Sequence, residues 1–478
     1  MCLVNINGKV VAINSMKFKR KLLSILIFVA ASGAIAVLWK LLDTDIDWFV
    51  AIYNSITAVM VIYVGTLMLF IYPIAFLRKY WEKKKSQIDL NAKPKYKVYD
   101  RLMRNTNALA GGLFILWVAL AAIFAHIIIP DKSPYAGDQM NEIAYKEPGF
   151  SVKVLLVPAD RHVSSTGVID WFLNGKTSSF KQIPINDAWL VKGDSLYVSR
   201  YLGDNMVGIP MVFATEFITG KKSVVAEQSQ IIENEFIETR HFWLGTDDLG
   251  RDYLSRIILG ARVSLSVGII AVLIALFIGI PLGALAGFYK QYPPKLRFGK
   301  KRAVKVPVDN SVMWMINIVW SIPTLLLVFP IVFAFGQQYY TIFIAVGITM
   351  WVDIARMVRG QVMQVREMEF VQAARTFGFS DTRTIWRHVL PNITGPVIVV
   401  TAANFAYAIL TEAGLSFLGI GVQPPAPSWG LMIAKYKDNL ITDPYLPLIP
   451  GFAITLLVLA FFMVGNGLRD ALDIKSRL

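Results

Sequence analysis

Long apolar runs alternate along this chain with short polar connections, and the length of the runs decides what they are. A helix needs ~20 apolar residues to cross a hydrocarbon core, because its backbone N–H and C=O groups must be satisfied within the segment. Eight runs meet that pattern: Leu22 to Leu42, Phe49 to Leu77, Ala108 to Ile129, Val263 to Tyr289, Val312 to Phe335, Tyr339 to Ile354, Ile393 to Phe417 and Leu446 to Leu468. The sixth is short, and only a turn at Gly336-Gln337 and Gln338 separates it from the fifth, so the two form a tight helical hairpin. The first run follows Lys17, Lys19, Arg20 and Lys21, as the core of a signal peptide would. It leads through Asp43, Asp45 and Asp47 straight into a second run, with no small-residue cleavage pattern, and is read as a span.

One connection breaks the pattern. Asp131 to Leu244 has no apolar run of spanning length, and alternating segments such as Ser151-Val152-Lys153-Val154 and Ser195-Leu196-Tyr197-Val198 predict short strands. Asn174-Gly175 fits a two-residue hairpin turn. The expected architecture is an all-α polytopic membrane protein of about eight transmembrane helices with an inserted β-rich domain. Its parts are an extension with two spans and a basic linker (1–104), a first core helix (105–130), the insertion (131–244) and a core of five further spans (245–478).

Composition agrees: 55% of the residues are apolar and 17% charged, with a mean hydropathy of +0.51, against about 25% charged in soluble domains. A single large soluble enzyme is excluded. The net charge of +15 sorts by segment. Lys and Arg crowd into 1–21, 78–104, 290–309, 356–391 and 469–478, whereas the short connections 43–48 and 422–445 hold only Lys435 and Lys437. Basic loops stay in the cytoplasm, so both termini are expected inside and the insertion outside the membrane. The charge thus orients spans in lipid, and no nucleic-acid partner is expected.

Covalent chemistry finds little support. Cys2 is the only cysteine, and His126, His162, His241 and His388 lack metal-ligand spacing. Gly175-Lys176-Thr177 resembles the end of a phosphate loop, but Asp170 stands where that loop needs its first glycine. No catalytic residue, metal or cofactor is assigned to this chain.

Two segments say more than hydropathy. Glu369 to Gly378 places Phe370, Ala373, Ala374 and Phe377 at helical spacing, Gly378 can stop the helix, and Ser380 or Asp381 can cap a second one ending before Pro391. This predicts a helix–turn–helix finger between spans six and seven. The segment resembles the EAA loop of ABC importer permeases, with Gln372, Ala373, Ala374, Gly378, Leu390 and Pro391 in the matching places. Gln372 replaces the usual Glu, and His388 the usual Ile. His388-Val389-Leu390-Pro391-Asn392 is similar to the form common in the peptide-importer branch.

The second segment, Gly245-Thr246-Asp247-Asp248-Leu249-Gly250-Arg251-Asp252 with Gly260-Ala261-Arg262, resembles the second permease subunit of dipeptide and oligopeptide importers. So do Glu412 to Gly419 and Pro424 to Gly430. The resemblance is strong from Phe242 to the C-terminus, weak over Ala108 to Ile129, and does not reach the first two spans or the insertion. It implies a type I importer permease core forming half of a channel. The implied partners are a homologous permease subunit, two cytoplasmic ATPase subunits that dock on 369–391 and carry the ATP, and an extracytoplasmic substrate-binding protein.

Gly279, Gly283 and Gly287 recur every four residues, as at a close helix contact. Glu412, late in span seven, is either a gate or pathway residue or an interfacial carboxylate. Arg366, Arg375, Arg383 and Arg387 are either topology signals or partners for acidic ATPase groups. Other cargoes of the same machine (nickel, glutathione, a modified peptide) and an ion-coupled secondary transporter remain alternatives.

Overall fold

A computed structural model describes residues 101–103 and 105–472 apart from 160–166, 204–205, 221–228, 292, 299–301 and 337, together with a pair of two-residue strands, Asn5–Ile6 and Lys9–Val10. The first two apolar runs and the basic linker up to residue 100 lie outside the described residues. Among those described, five helices are long and apolar enough to cross a membrane: α1 (Thr106–Ile123), α4 (Tyr253–Tyr289), α7 (Tyr339–Val365), α10 (Thr394–Phe417) and α12 (Tyr445–Leu472). Short helices α2 (Ala125–Ile128), α3 (Val168–Asn174) and α11 (Trp429–Tyr436) decorate one end of the bundle.

The fifth run is not the continuous span expected. It is split into α5 (Val308–Trp320) and α6 (Thr324–Phe335), bent by 89° across Ser321, Ile322 and Pro323. Proline lacks an N–H and pushes the residue before it away from helical geometry, which ends α5 there. Two other helices overrun their apolar runs. Asp252 caps α4 eleven residues before Val263, its side chain accepting the Ser255 N–H, and α7 continues past Ile354 to Val365.

Helices α4 and α7 form the tightest pair. Gly279, Gly283 and Gly287 lie against the carbonyls of Trp351, Ala355 and Arg359, so close that a Cβ at any of the three would overlap that backbone. The glycine stripe therefore serves a contact inside the chain, where absent side chains let backbones approach without a solvent-driven force.

The insertion carries a five-stranded antiparallel sheet in the order β4-β3-β2-β1-β5, from β1 (Phe150–Pro158), β2 (Phe180–Lys192), β3 (Ser195–Arg200), β4 (Ile209–Ala214) and β5 (Ile237–Phe242). Leu155, Ile183, Ile185, Leu196 and Val198 fill its core. Both alternating segments noted in the sequence are strands of it. Asn174-Gly175, however, is no hairpin turn. Asn174 is the last residue of α3 and Gly175 its C-cap, with φ +81°; the pair suits a helix end as well as a turn.

Candidate functional site

At one end of the bundle, the chain leaving α7 builds a finger from α8 (Glu369–Thr376), α9 (Asp381–Thr384) and a wider π turn over Ile385–Val389. Arg366 anchors its base: the guanidinium donates to the Gly287 carbonyl (2.9 Å), the Phe288 carbonyl (3.2 Å), Gln291 (3.1 Å) and Glu367 (3.0 Å). It is spent inside the chain and is no surface partner. Gln372 donates its amide to the Arg366 carbonyl at 3.1 Å, a bond the usual Glu could not make when ionised.

Gly378 takes φ +78°, and the Phe379 N–H reaches back to the Ala374 carbonyl (3.1 Å), closing α8. Ser380 caps α9, its hydroxyl accepting the Arg383 N–H. Val371, Ile385 and Val389 pack the finger into the main core. The four-residue face drawn from the sequence splits: Ala374 is buried, while Ala373, Phe370 (42% exposed) and Phe377 (80%) face outward with Trp386 (61%). His388 stacks on Phe379 at 5.7 Å, Arg375 and Arg383 lie over the Phe288 and Phe379 rings, Leu390 and Pro391 lead into α10, and Glu369 and Arg387 are exposed.

Helix α7, which leads into the finger, is tied to the broken span. Arg359 of α7 makes a bidentate pair with Asp309 at the start of α5 (Nη2 to Oδ2 2.9 Å), and Arg356 stacks on Trp320 at its end, 3.6 Å from the ring centroid.

The other end of the bundle holds the second motif. Gly245 and Gly250 take φ +72° and +69° and press on the carbonyls of Lys146 and Met140, where only glycine fits. The Thr246 hydroxyl donates to Ile143 (2.5 Å) and accepts the Lys146 N–H. Buried Asp247 accepts the N–H groups of Leu249 and Arg251 and the Arg251 Nε at 2.7 Å. Asp248 accepts Lys435 Nζ and the Tyr436 hydroxyl, each at 2.7 Å. Burial works against the charge on Asp248, but those two bonds and the nearby Lys435 and Arg251 charges outweigh it and hold its carboxyl below the usual range. Burial pushes the Asp252 carboxyl up, against its bonds from Ser255. The motif is a joint between residues 131–149, the start of α4, α11 and α12, which Tyr445 completes by donating to the carbonyls of Lys146 and Thr246.

Glu412 joins this end and not the finger. It is fully buried (0% exposed); Oε1 accepts the hydroxyls of Ser416 and Ser428, each at 2.8 Å, and Oε2 lies beside Gly430. Ser428 in turn caps α11 by accepting the Leu431 N–H. The pairings of Ser428, Lys435, Tyr436 and Tyr445 escape sequence reasoning because their partners are remote along the chain. Among the described residues, no three His, Cys, Asp or Glu side chains gather as a metal site would require.

Residues 279–477, which include the finger, match the family model of the binding-protein-dependent transport system inner membrane component. The glutathione transport system permease protein GsiD of Pectobacterium atrosepticum is 36% identical over 51% of this chain and 76% of its own length. The dipeptide transport system permease protein DppC of Alkalihalophilus pseudofirmus is 40% identical over 49% of this chain and 72% of its own. The oligopeptide transport system permease protein OppC of Bacillus subtilis is 38% identical over 50% and 73%. The chain belongs to this family. As a binding-protein-dependent permease it is an inner-membrane protein of several spans, a transport component and not an enzyme, which sets the ion-coupled reading aside.

Proposed function

We propose that this permease forms half of the translocation channel of an ATP-driven importer for short peptides and takes its mechanical input at residues 369–391. The observation that carries this is the outward apolar face of Phe370, Phe377 and Trp386 on a finger whose other side is fixed to the core. An apolar helix face held rigid by its own packing fits a groove on a cytoplasmic ATPase subunit. The finger end then lies in the cytoplasm with both termini, and the sheet end faces the substrate-binding protein. A second permease supplies the other half of the channel.

ATP binding favours one arrangement of two ATPase subunits and so shifts the bundle between inward-open and outward-open states. Displacement of the finger acts on α7, of which it is the direct continuation, and α7 carries α4 through the glycine contact and α5 through Asp309 and Trp320. The break at Ser321 to Pro323 is the hinge this linkage works on. Glu412 holds the opposite end: its bonds to Ser416 and Ser428 fasten α11 to α10, so it acts as the clasp of the outer gate. Peptide cargo is favoured because the relatives named for glutathione, dipeptide and oligopeptide transport share an amide-linked substrate.

The test places one cysteine at Phe377 in a Cys2→Ser background and cross-links it in membranes holding the whole importer. Cross-linking to an ATPase subunit, and uptake of labelled di- and tripeptides that stops when that subunit cannot hydrolyse ATP, are expected. A thiol at 377 that labels only from outside the cell overturns the reading.

A further inference from the structure

Helix α3 of the insertion is a short amphipathic helix fixed against the membrane bundle. Its polar side is Asp170 and Asn174, joined by a hydrogen bond of 2.6 Å. On other sides stand Trp171 and Phe172, half-buried, and Leu173, 53% exposed. Arg262 of α4 holds it in place, donating Nη1 to the Leu173 carbonyl at 2.6 Å while Nε and Nη2 reach the Ala122 and Ile123 carbonyls at the end of α1. The Phe172 ring meets Phe124 edge-on, centroids 5.9 Å apart.

That contact makes α3 continuous with another surface. Leu116, Leu120, Ile123 and Ile127 are exposed along one face of α1 and α2, at the spacing of a helical stripe. In a chain of several spans such a stripe is what acyl chains cover. Just beyond α3, the Lys176 N–H bonds to the Lys132 carbonyl, which puts two exposed lysines side by side where the apolar surface ends. Apolar stripe, then aromatic rings, then lysines is the order in which side chains meet hydrocarbon, interface and headgroups.

We propose that α3 is a membrane-surface anchor that lies in the bilayer interface with Leu173 and Trp171 toward the acyl chains and Lys132 and Lys176 toward lipid phosphates. The sheet is thereby held against the bilayer beside the bundle, and is not carried on a free tether.

The test uses the whole importer in proteoliposomes, with a spin label on Leu173→Cys in the Cys2→Ser background and the same label on Leu120→Cys and Leu190→Cys. The expected ratio of oxygen to water-soluble nickel-chelate collisions at 173 matches that at 120 and is several-fold above that at 190, which sits on the sheet. A ratio like that at 190 overturns the proposal in favour of water; low collision rates with both reagents overturn it in favour of a covering protein. Independently, phospholipids brominated near the headgroup should quench more emission in the wild type than in Trp171→Phe, and equal quenching counts against the anchor.

Discussion

At the scale of single residues, the finger and the joint ask for opposite kinds of substitution. Gly378 holds φ +78° with open space where a Cβ would go, so a side chain there meets backbone strain of about 1–2 kcal/mol and no clash. Gly378→Val should lower both ATPase co-purification and peptide uptake, whereas Gly378→Asn, which tolerates that backbone, should keep most of both; equal losses would show that space and not conformation is at stake. At the joint, Asp248 is titrated through its partners. Its carboxyl sits below the ordinary range in the fold, so its stabilisation is complete above the unfolded value of ~3.9 and fades as pH falls through the lower folded one. Asp248→Asn should cost about 1–2 kcal/mol at neutral pH, a charge-assisted bond discounted for partial exposure. Thermal unfolding in detergent should show that gap closing in strong acid. The finger's Gly378 and Gln372 were legible in the sequence because helix stop and motif are local. Ser428 as partner of Glu412 was not, because a bond across two elements leaves no spacing to read.

Among elements, the linkage from α7 to α5 is the part a mutation can cut without touching the finger. Asp309 and Arg359 are mostly buried and bidentate, and removing one partner of such a pair strands a charge at a cost of about 3–5 kcal/mol. Arg359→Ala should therefore leave ATPase cross-linking at 377 intact while abolishing uptake. The swapped pair, Asp309→Arg with Arg359→Asp, should recover part of the transport, and a swap as inactive as either single change would argue that the residues act separately. Why the break itself escaped the sequence is instructive. Pro281, Pro330 and Pro450 lie inside unbroken helices, yet Pro323 sits in an 89° bend. In lipid a proline is tolerated wherever neighbouring groups satisfy the freed carbonyl, so the residue alone does not tell a bend from a straight run. Hydropathy found the five long apolar helices among the described residues, because bilayer thickness sets their length. It missed the extensions of α4 and α7, where capping by Asp252 and the Arg359 ion pair carry helix beyond the apolar run.

For the whole molecule, the question is how a sheet enters a permease without disturbing it. The strands by which the chain enters and leaves are neighbours: β1 pairs with β5 in the register Phe150 to Phe242, and the Gly149 N–H bonds to the Phe242 carbonyl at 2.9 Å. The ends of 150–242 therefore sit together, and a short linker can close the gap at small entropic cost. Residues 131–149 differ, because Ile143 and Lys146 bond Thr246 while the Asp131 N–H bonds Ser255. Reporter fusions at residues 190 and 300 are expected to be active outside and inside the cell, respectively, and the reverse would invert the topology. Replacing 150–242 by a short linker should then leave a chain that inserts, joins its partners and cross-links through position 377. A deletion beginning at 131 should fail to assemble, since it removes the joint under Gly245 and Gly250. If the shorter deletion also fails, the Arg262 contact with α3 and the pairing of Glu142 with Arg200 hold the bundle together from outside it, and the sheet is part of the core and not a guest.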